Sequence, residues 1–213
     1  MDGIDERTKE QLGQRILSIG GPTGVGKDTV VNCLLATYPQ VVHFPRTTTR
    51  PKRNGEVDGR DYFFVDEAEF TYLHQREVIK AVDIYTGFSY GIDCKKLIEK
   101  LAENGRRIIM VGGICGVHLR DEFFSTMGNV YLVASAEEIC RRLEKRVGDP
   151  RQVKKSFDEA MERFHAESQL FDQVIDNPDC HLRQTVATVA QLMGLPPMEI
   201  VIKEVSGYVG ART

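Results

Sequence analysis

The stretch Gly20-Gly21-Pro22-Thr23-Gly24-Val25-Gly26-Lys27-Asp28-Thr29 constrains this chain more than any other. It follows an apolar run, Ile16-Leu17-Ser18-Ile19, and leads into a helical pattern, Val30-Val31-Asn32-Cys33-Leu34-Leu35. Strand, glycine loop and helix, in that order, are the setting in which a phosphate-binding loop works. Glycines let successive backbone N–H groups turn toward a phosphate that side chains would block. Lys27 adds a point charge for β- and γ-phosphates, and the helix N-terminus adds its partial positive charge. A bare glycine-rich turn would also join a strand to a helix, but it has no need of Gly-Lys at this spacing.

After the lysine the pattern expects Ser or Thr, whose hydroxyl binds Mg²⁺. Here Asp28 stands there, with Thr29 next. A carboxylate in a first helical turn suits the dipole whatever else it does. The alternative is that Asp28, with Thr29, helps to hold the metal.

The 213 residues suffice for one well-buried domain with small inserted lobes. A net charge of −3 gives no sign of nucleic-acid or membrane-surface binding. Five scattered cysteines without a CxxC pair read as reduced thiols, and no apolar signal core opens the chain. Together these point to a soluble, cytoplasmic protein.

Residues 1–14 read as a flexible polar lead-in. A strand over 15–19 feeds the glycine loop, and the helix that follows runs to about residue 38. Residues 41–44 form a short strand ended by Pro45. From Arg46 to Val65 the chain is basic, rich in threonine and turn residues, and ends as a strand. Arg50 and Arg53, across a proline-stiffened bend, can grip an anion bidentately, with Tyr62 as a further donor. Charge alone makes this a solvated basic loop; inside a kinase-like chain the clamp is the better reading.

Further on come a helix at 67–75, a strand at 78–84, Ser89-Tyr90-Gly91-Ile92, and a helix at 94–101 capped by Asp93 and closing at Asn104-Gly105. Strands at 107–111 and 130–133 are near-continuously apolar, as buried parallel strands are. A charged helix at 137–147 holds Arg141, Arg142, Lys145 and Arg146; after a break at Gly148-Asp149-Pro150 a second helix covers 152–168. A strand at 171–175 and a helix at 181–193 close the pattern. Alternating strands and helices indicate an α/β fold with a parallel sheet and ligands at the strand C-terminal ends. Beyond Pro196-Pro197, residues 199–205 read as an extra strand, pairing with its own sheet or, as a homo-oligomer, with another subunit.

Over residues 16–193 the chain resembles the guanylate kinase family of nucleoside monophosphate kinases. The most specific piece is Thr48-Thr49-Arg50-x-x-Arg53-x-Gly55-Glu56-x-x-Gly59-x-x-Tyr62-x-Phe64, joined by Tyr90-Gly91 and Phe171-Asp172-x-Val174-Ile175-x-Asn177. The resemblance implies a P-loop kinase core over 15–195, with a parallel sheet flanked by helices, an inserted acceptor-binding lobe over 46–92 and a helical lid over 137–160. It implies ATP and Mg²⁺ as cofactors and a small phosphorylated acceptor as partner. Gly21, Thr23, Gly24, Val25, Gly26, Lys27, Asp28 and Thr29 would bind ATP, with Arg146 from the lid and Asn177 near the adenine. Arg50, Arg53, Tyr62 and Tyr90 would grip the acceptor's phosphate. Lys27, Arg50 and Arg146 would be the catalytic cations, since such transfer is positioning plus charge neutralisation.

The departures gather at one place. The family reads guanine with a hydroxyl where this chain has Arg46, a glutamate where it has Ala81, and Ser or Thr where it has Ile92. An Asp-x-Asp falls on Val111 and Gly113. Each lost hydrogen-bonding group removes roughly 1–3 kcal/mol from base recognition. The second lid arginine falls near Ser156, beside Lys154 and Lys155, which supply charge but no bidentate fork. Gly-Lys-Asp in the loop and an apolar residue after Tyr-Gly are similar to a relative, ribose 1,5-bisphosphate phosphokinase. For that acceptor Asp83, on the strand face of Ala81, could meet sugar hydroxyls or could simply be an exposed carboxylate. A non-catalytic protein-binding module of the family is the third possibility; such modules usually lose the phosphate loop, and this chain keeps it.

Overall fold

In the computed structural model, residues 4–103, 105–147 and 149–202 are described here. The chain runs α1 (Glu6–Gly13), β1 (Ile16–Gly20), α2 (Lys27–Thr37), β2 (Val41–His43), β3 (Thr47–Thr48), β4 (Phe63–Phe64), α3 (Glu67–Gln75), β5 (Ile79–Tyr85) and β6 (Phe88–Asp93). It continues through α4 (Cys94–Ala102), β7 (Arg107–Met110), α5 (Ile114–Glu122), β8 (Gly128–Val133), α6 (Ala136–Val147), α7 (Pro150–Glu167), β9 (Gln173–Asp176) and α8 (Leu182–Leu192).

Five strands form a parallel sheet in the order β2-β7-β1-β8-β9. β1 lies at its centre and is buried along its whole length. Alternate residues of a strand face opposite sides. Leu17 and Ile19 therefore join a core with Val30, Leu34, Val186 and Val189 of α2 and α8. Ile16 joins the other core, with Leu97, Leu101, Leu119 and Phe124. Sheet and helices thus make an α/β sandwich whose central strand ends at the glycine loop. A second sheet, β4-β3-β6-β5, comes from the segment between β2 and α4 and carries the basic motif.

Asp residues start several helices by accepting from backbone N–H groups of the first turn, as N-caps do: Asp66 from Glu69 at 2.7 Å, Asp93 from Lys96 at 2.9 Å and Asp149 from Arg151 at 3.0 Å. Pro150 follows Asp149 at the first position of α7, where its missing N–H costs nothing.

Both ends of the chain differ from the sequence expectation. Residues 6–13 are a helix rather than a flexible lead-in: Asp5 caps it, and the Thr126 hydroxyl donates to the Glu10 carbonyl at 2.6 Å. At the other end, residues 199–202 form no strand. They lie over α2 and α8, with Ile200 buried, the Val201 N–H on the Thr37 hydroxyl at 3.0 Å and Arg183 on the Ile200 carbonyl at 2.5 Å. Residues 203–205 of the expected strand lie outside the described residues. The helix α5 went unforeseen because its start, Gly112-Gly113-Ile114-Cys115-Gly116, reads as a loop.

Those glycines let α5 lie close on the sheet. A Cβ at Gly116 would collide with the Ser18 side chain of β1 and come 2.8 Å from Asn129 Oδ1 of β8. Gly116→Ala is therefore expected to destabilise the protein by about 1–3 kcal/mol through overpacking. Denaturant titration checks this: a lowered midpoint with an unchanged slope is expected.

Candidate active site

Between β1 and α2 the backbone adopts conformations that only glycine holds without strain: Gly21, Gly24 and Gly26 have φ of 138°, 88° and 98°. Space is also short. A Cβ on Gly21 would come 2.7 Å from the Leu132 carbonyl, and one on Gly26 would come 2.8 Å from the Asn177 amide nitrogen. Val25 is fully buried in the core and pins the loop from below. Thr23 is half-buried, and Asp28 and Thr29 occupy the first turn of α2.

Lys27 folds its ammonium back onto the Gly21 and Pro22 carbonyls at 2.7 and 2.9 Å. Burial loosens its proton most, and Arg146, Arg163 and Arg46 push the same way against Asp28, so its pKa falls to about 8. Arg146, exposed on the last turn of α6, is thus among the cations whose field reaches the loop lysine.

Asn177 helps to hold the glycine loop. It is 3% exposed, and its amide donates to the Val25 carbonyl at 2.9 Å. Arg142 reaches the same carbonyl at 2.9 Å and the Asn177 carbonyl at 2.8 Å, and pairs with Asp179. Sequence reasoning saw Arg142 only as one cation of a charged helix. The available signal was its spacing of four from Arg146, which sets both on one side of α6.

The second sheet gathers the basic motif. Arg50 is buried and pairs with buried Glu56 at 2.7 Å. Glu56 also accepts the Arg53 backbone N–H at 2.7 Å. Burial alone would raise the Glu56 carboxyl, but these hydrogen bonds hold it below its usual range. Arg53 itself is exposed, and Glu56 organises the bend that carries both arginines. Tyr62 lies under Arg50, its ring 5.2 Å from the guanidinium, and stands 6.0 Å edge-on to buried Tyr90.

Arg46 lies on these same tyrosines, 4.8 Å from the Tyr90 ring and 5.8 Å from that of Tyr62. Its Nη1 donates to the Gly112 carbonyl at 3.3 Å, its Nε is buried without a partner, and it forms no ion pair among the described residues. The other positions of the family's base readers are occupied by structure. Ile92 is fully buried in the core beneath β6, Val111 packs against the opposite core, and Gly113 starts α5. Ala81 is buried with φ of 52° at a bulge in β5, where the register shifts between Lys80 and Asp83. The bulge sets Asp83 opposite Tyr90 in the ladder.

All five cysteines are free, and among the described residues no group of three or more His, Cys, Asp or Glu is arranged around a metal site. Among them, too, no helix is long and apolar enough to cross a membrane.

A family model described as guanylate kinase matches residues 13–194. The guanylate kinase of Frankia casuarinae is 32% identical over 183 residues, covering 85% of this chain and 97% of that one. That of Thermobifida fusca is 32% identical over 173 residues, covering 79% and 86%. The crystal structure of guanylate kinase from Anaplasma phagocytophilum superposes with a TM-score of 0.65 at 23% identity, covering 84% of each chain, a likeness of fold.

The state of Lys27 can be tested by calorimetry. With a pKa of about 8 in the free protein, a growing share of Lys27 lacks its proton between pH 8 and 9. Bound phosphates favour the charged form, so ATP binding is expected to take up protons there, fewer as the pH drops below 7.5. Titration in buffers of different ionisation enthalpy reads the uptake, and Lys27→Met is expected to abolish it. For the free protein the sign is opposite to that of a paired lysine. The unfolded chain binds more protons between about 8 and 10.5, so stability from this group rises with pH across that window.

Proposed function

This chain belongs to the guanylate kinase family of ATP-dependent kinases, and we propose that it transfers the γ-phosphoryl group of ATP to the phosphate of GMP. The observation that carries the reading is the buried Arg50–Glu56 pair, with Tyr62 beneath it. Removing two charges from water is costly and confers little stability by itself. Such a pair is well suited to hold a guanidinium rigid for an incoming phosphate.

In the proposed reaction the glycine-loop N–H groups bind the ATP phosphates. Lys27 leaves the Gly21 and Pro22 carbonyls for the β- and γ-oxygens. Arg50, with Arg53, Tyr62 and Tyr90, holds the acceptor phosphate, one oxygen of which bonds to the γ-phosphorus as the bond to the β–γ bridging oxygen breaks. ADP departs with that electron pair. Arg146 adds charge from the lid side, and Asn177 keeps the loop in shape and borders the adenine site.

The first turn of α2 fits Mg²⁺, since Asp28 and Thr29 offer hard oxygen donors beside the lysine. Mg²⁺ takes few protein ligands alongside phosphate oxygens and water, so no larger cluster is needed. When bound there it would neutralise charge on the β- and γ-phosphates. Asp28→Ala is accordingly expected to abolish Mg²⁺-dependent turnover. Initial rates against Mg²⁺ concentration check this, and an unaltered metal dependence would remove Asp28 from the site.

One observation favours a second acceptor. Arg46 is a permanent charge without an ion-pair partner beside the phosphate-gripping tyrosines, and a partly buried cation is best compensated by an anion. A sugar bisphosphate such as ribose 1,5-bisphosphate would supply one. ³¹P NMR of ATP–Mg²⁺ with GMP and with ribose 1,5-bisphosphate in separate tubes decides. GDP is expected; phosphoribosyl diphosphate instead would transfer the assignment, and no product from either would reject both acceptors.

A further inference from the structure

Arg163 lies outside every motif that carries the family resemblance. The position near which the family has its second lid arginine is Ser156, and the neighbouring Lys154 and Lys155 are exposed. Arg163 stands seven residues further along α7, two turns or ~10 Å, so it shares the face of Ser156, Ala160 and Glu167. Of these, Ala160 and Glu167 are buried, so the face looks inward.

There Arg163 meets β5 of the second sheet. Its guanidinium lies 4.2 Å from the Tyr85 ring centre, its Nε donates to Glu167 at 2.5 Å, and its Nη2 reaches Asp83 only at 3.5 Å. Nη1 has no hydrogen-bond partner among the described residues. The fork is therefore oriented by Glu167 and Tyr85 while most of its donors remain available. One further observation turns it toward the glycine loop. Fully buried Tyr131 pairs with Gly20 in the sheet and packs against Phe164, the neighbour of Arg163, and its hydroxyl has no hydrogen-bond partner among the described residues.

We propose that Arg163 is a catalytic arginine of the phosphoryl transfer, its Nη groups donating to oxygens of the transferring phosphoryl group and the acceptor phosphate, in place of the arginine missing near Ser156. This rests on the kinase reading above but not on GMP as the acceptor. Glu167 keeps hold of Nε, and the long contact to Asp83 gives way when phosphates enter. The acceptor oxygen–phosphorus bond forms as the β–γ bridging bond breaks, and no proton passes through the guanidinium. The competing account is a fastener, in which Arg163 ties α7 to β5 and never touches a phosphate.

The test compares wild type, Arg163→Met and Arg163→Lys in three measurements: affinity for ADP–Mg²⁺, affinity for ADP–Mg²⁺ with tetrafluoroaluminate (a mimic of the transferring group that needs no acceptor), and turnover with ATP and GMP. Wild type is expected to bind the fluoride complex more tightly than ADP–Mg²⁺. Arg163→Met is expected to lose at least tenfold on the fluoride complex alone and about 100- to 1,000-fold in kcat. Arg163→Lys should recover part of both, and it carries the comparison should the methionine variant not fold. Equal effects on the two complexes, no effect on either, or a wild type that does not prefer the fluoride complex would overturn the proposal. A wild type that prefers the fluoride complex yet leaves GMP untouched would count against GMP alone.

Discussion

The Val25 carbonyl is the point on which the site depends. A glycine-rich loop is entropically costly to order, because each glycine surrenders more backbone freedom than any other residue. The loop is nevertheless held in shape, because its middle carbonyl accepts from both Asn177 and Arg142 while the Val25 side chain sits in the core. Asn177 follows β9 and Arg142 belongs to α6, so one oxygen gathers the glycine loop, the sheet edge and the charged helix. The consequence for a ligand is preorganisation: a loop backbone already held in place needs little further ordering when an anion arrives.

Around this frame the charges are unevenly satisfied. Arg50 and Arg163 each have a close carboxylate in Glu56 and Glu167, whereas Arg46 has none among the described residues and Lys27 rests on neutral carbonyls. Buried cations that are held but not neutralised are a reservoir for binding anions, since a phosphate relieves their mutual repulsion at the moment it is bound. The pKa of Lys27 is lowered first by burial, and the neighbouring arginines add to it. The same logic explains how Arg50 can serve despite its partner. Glu56 also holds the Arg53 backbone N–H, and so fixes where the guanidinium stands as well as balancing it.

Much of this was legible in the sequence wherever local chemistry and tertiary context agree. The apolar β1, the glycine loop between strand and helix, and the Asp93 cap each carry their own signal and stand where they were expected, and the Arg50-to-Tyr62 motif is gathered on the second sheet. What escaped is non-local. Arg142 and Arg163 are ordinary helix cations in sequence, and only the packing of α6 and α7 gives them Val25 and Asp83 as neighbours. The α5 helix was hidden by glycines whose purpose is close approach to Ser18 and Asn129 across the sheet. The tail 199–205 reads as a strand, yet in its described part Ile200 is taken up by the core of α2 and α8 and the Val201 N–H by Thr37.

The departures from the family at its base-reading positions have a common physical form. Ile92 and Val111 contribute to the two cores, Gly113 takes up an unusual backbone conformation at the start of a helix, and Ala81 occupies a bulge that bulkier side chains would strain. Bulges re-aim the side chains that follow them, and here the next polar one is Asp83, braced by Arg163 and paired across the ladder with Tyr90. In the proposed reaction these positions offer the acceptor no neutral hydrogen-bonding side chain, while two charged ones stand at Tyr90, Arg46 over its ring and Asp83 across the ladder. Under that proposal a permanent donor fork and a carboxylate acceptor favour an acceptor that itself presents both an electron-rich edge and N–H or O–H donors. Guanine meets that requirement, and so does a phosphorylated sugar; an apolar or purely anionic molecule would leave Asp83 unsatisfied.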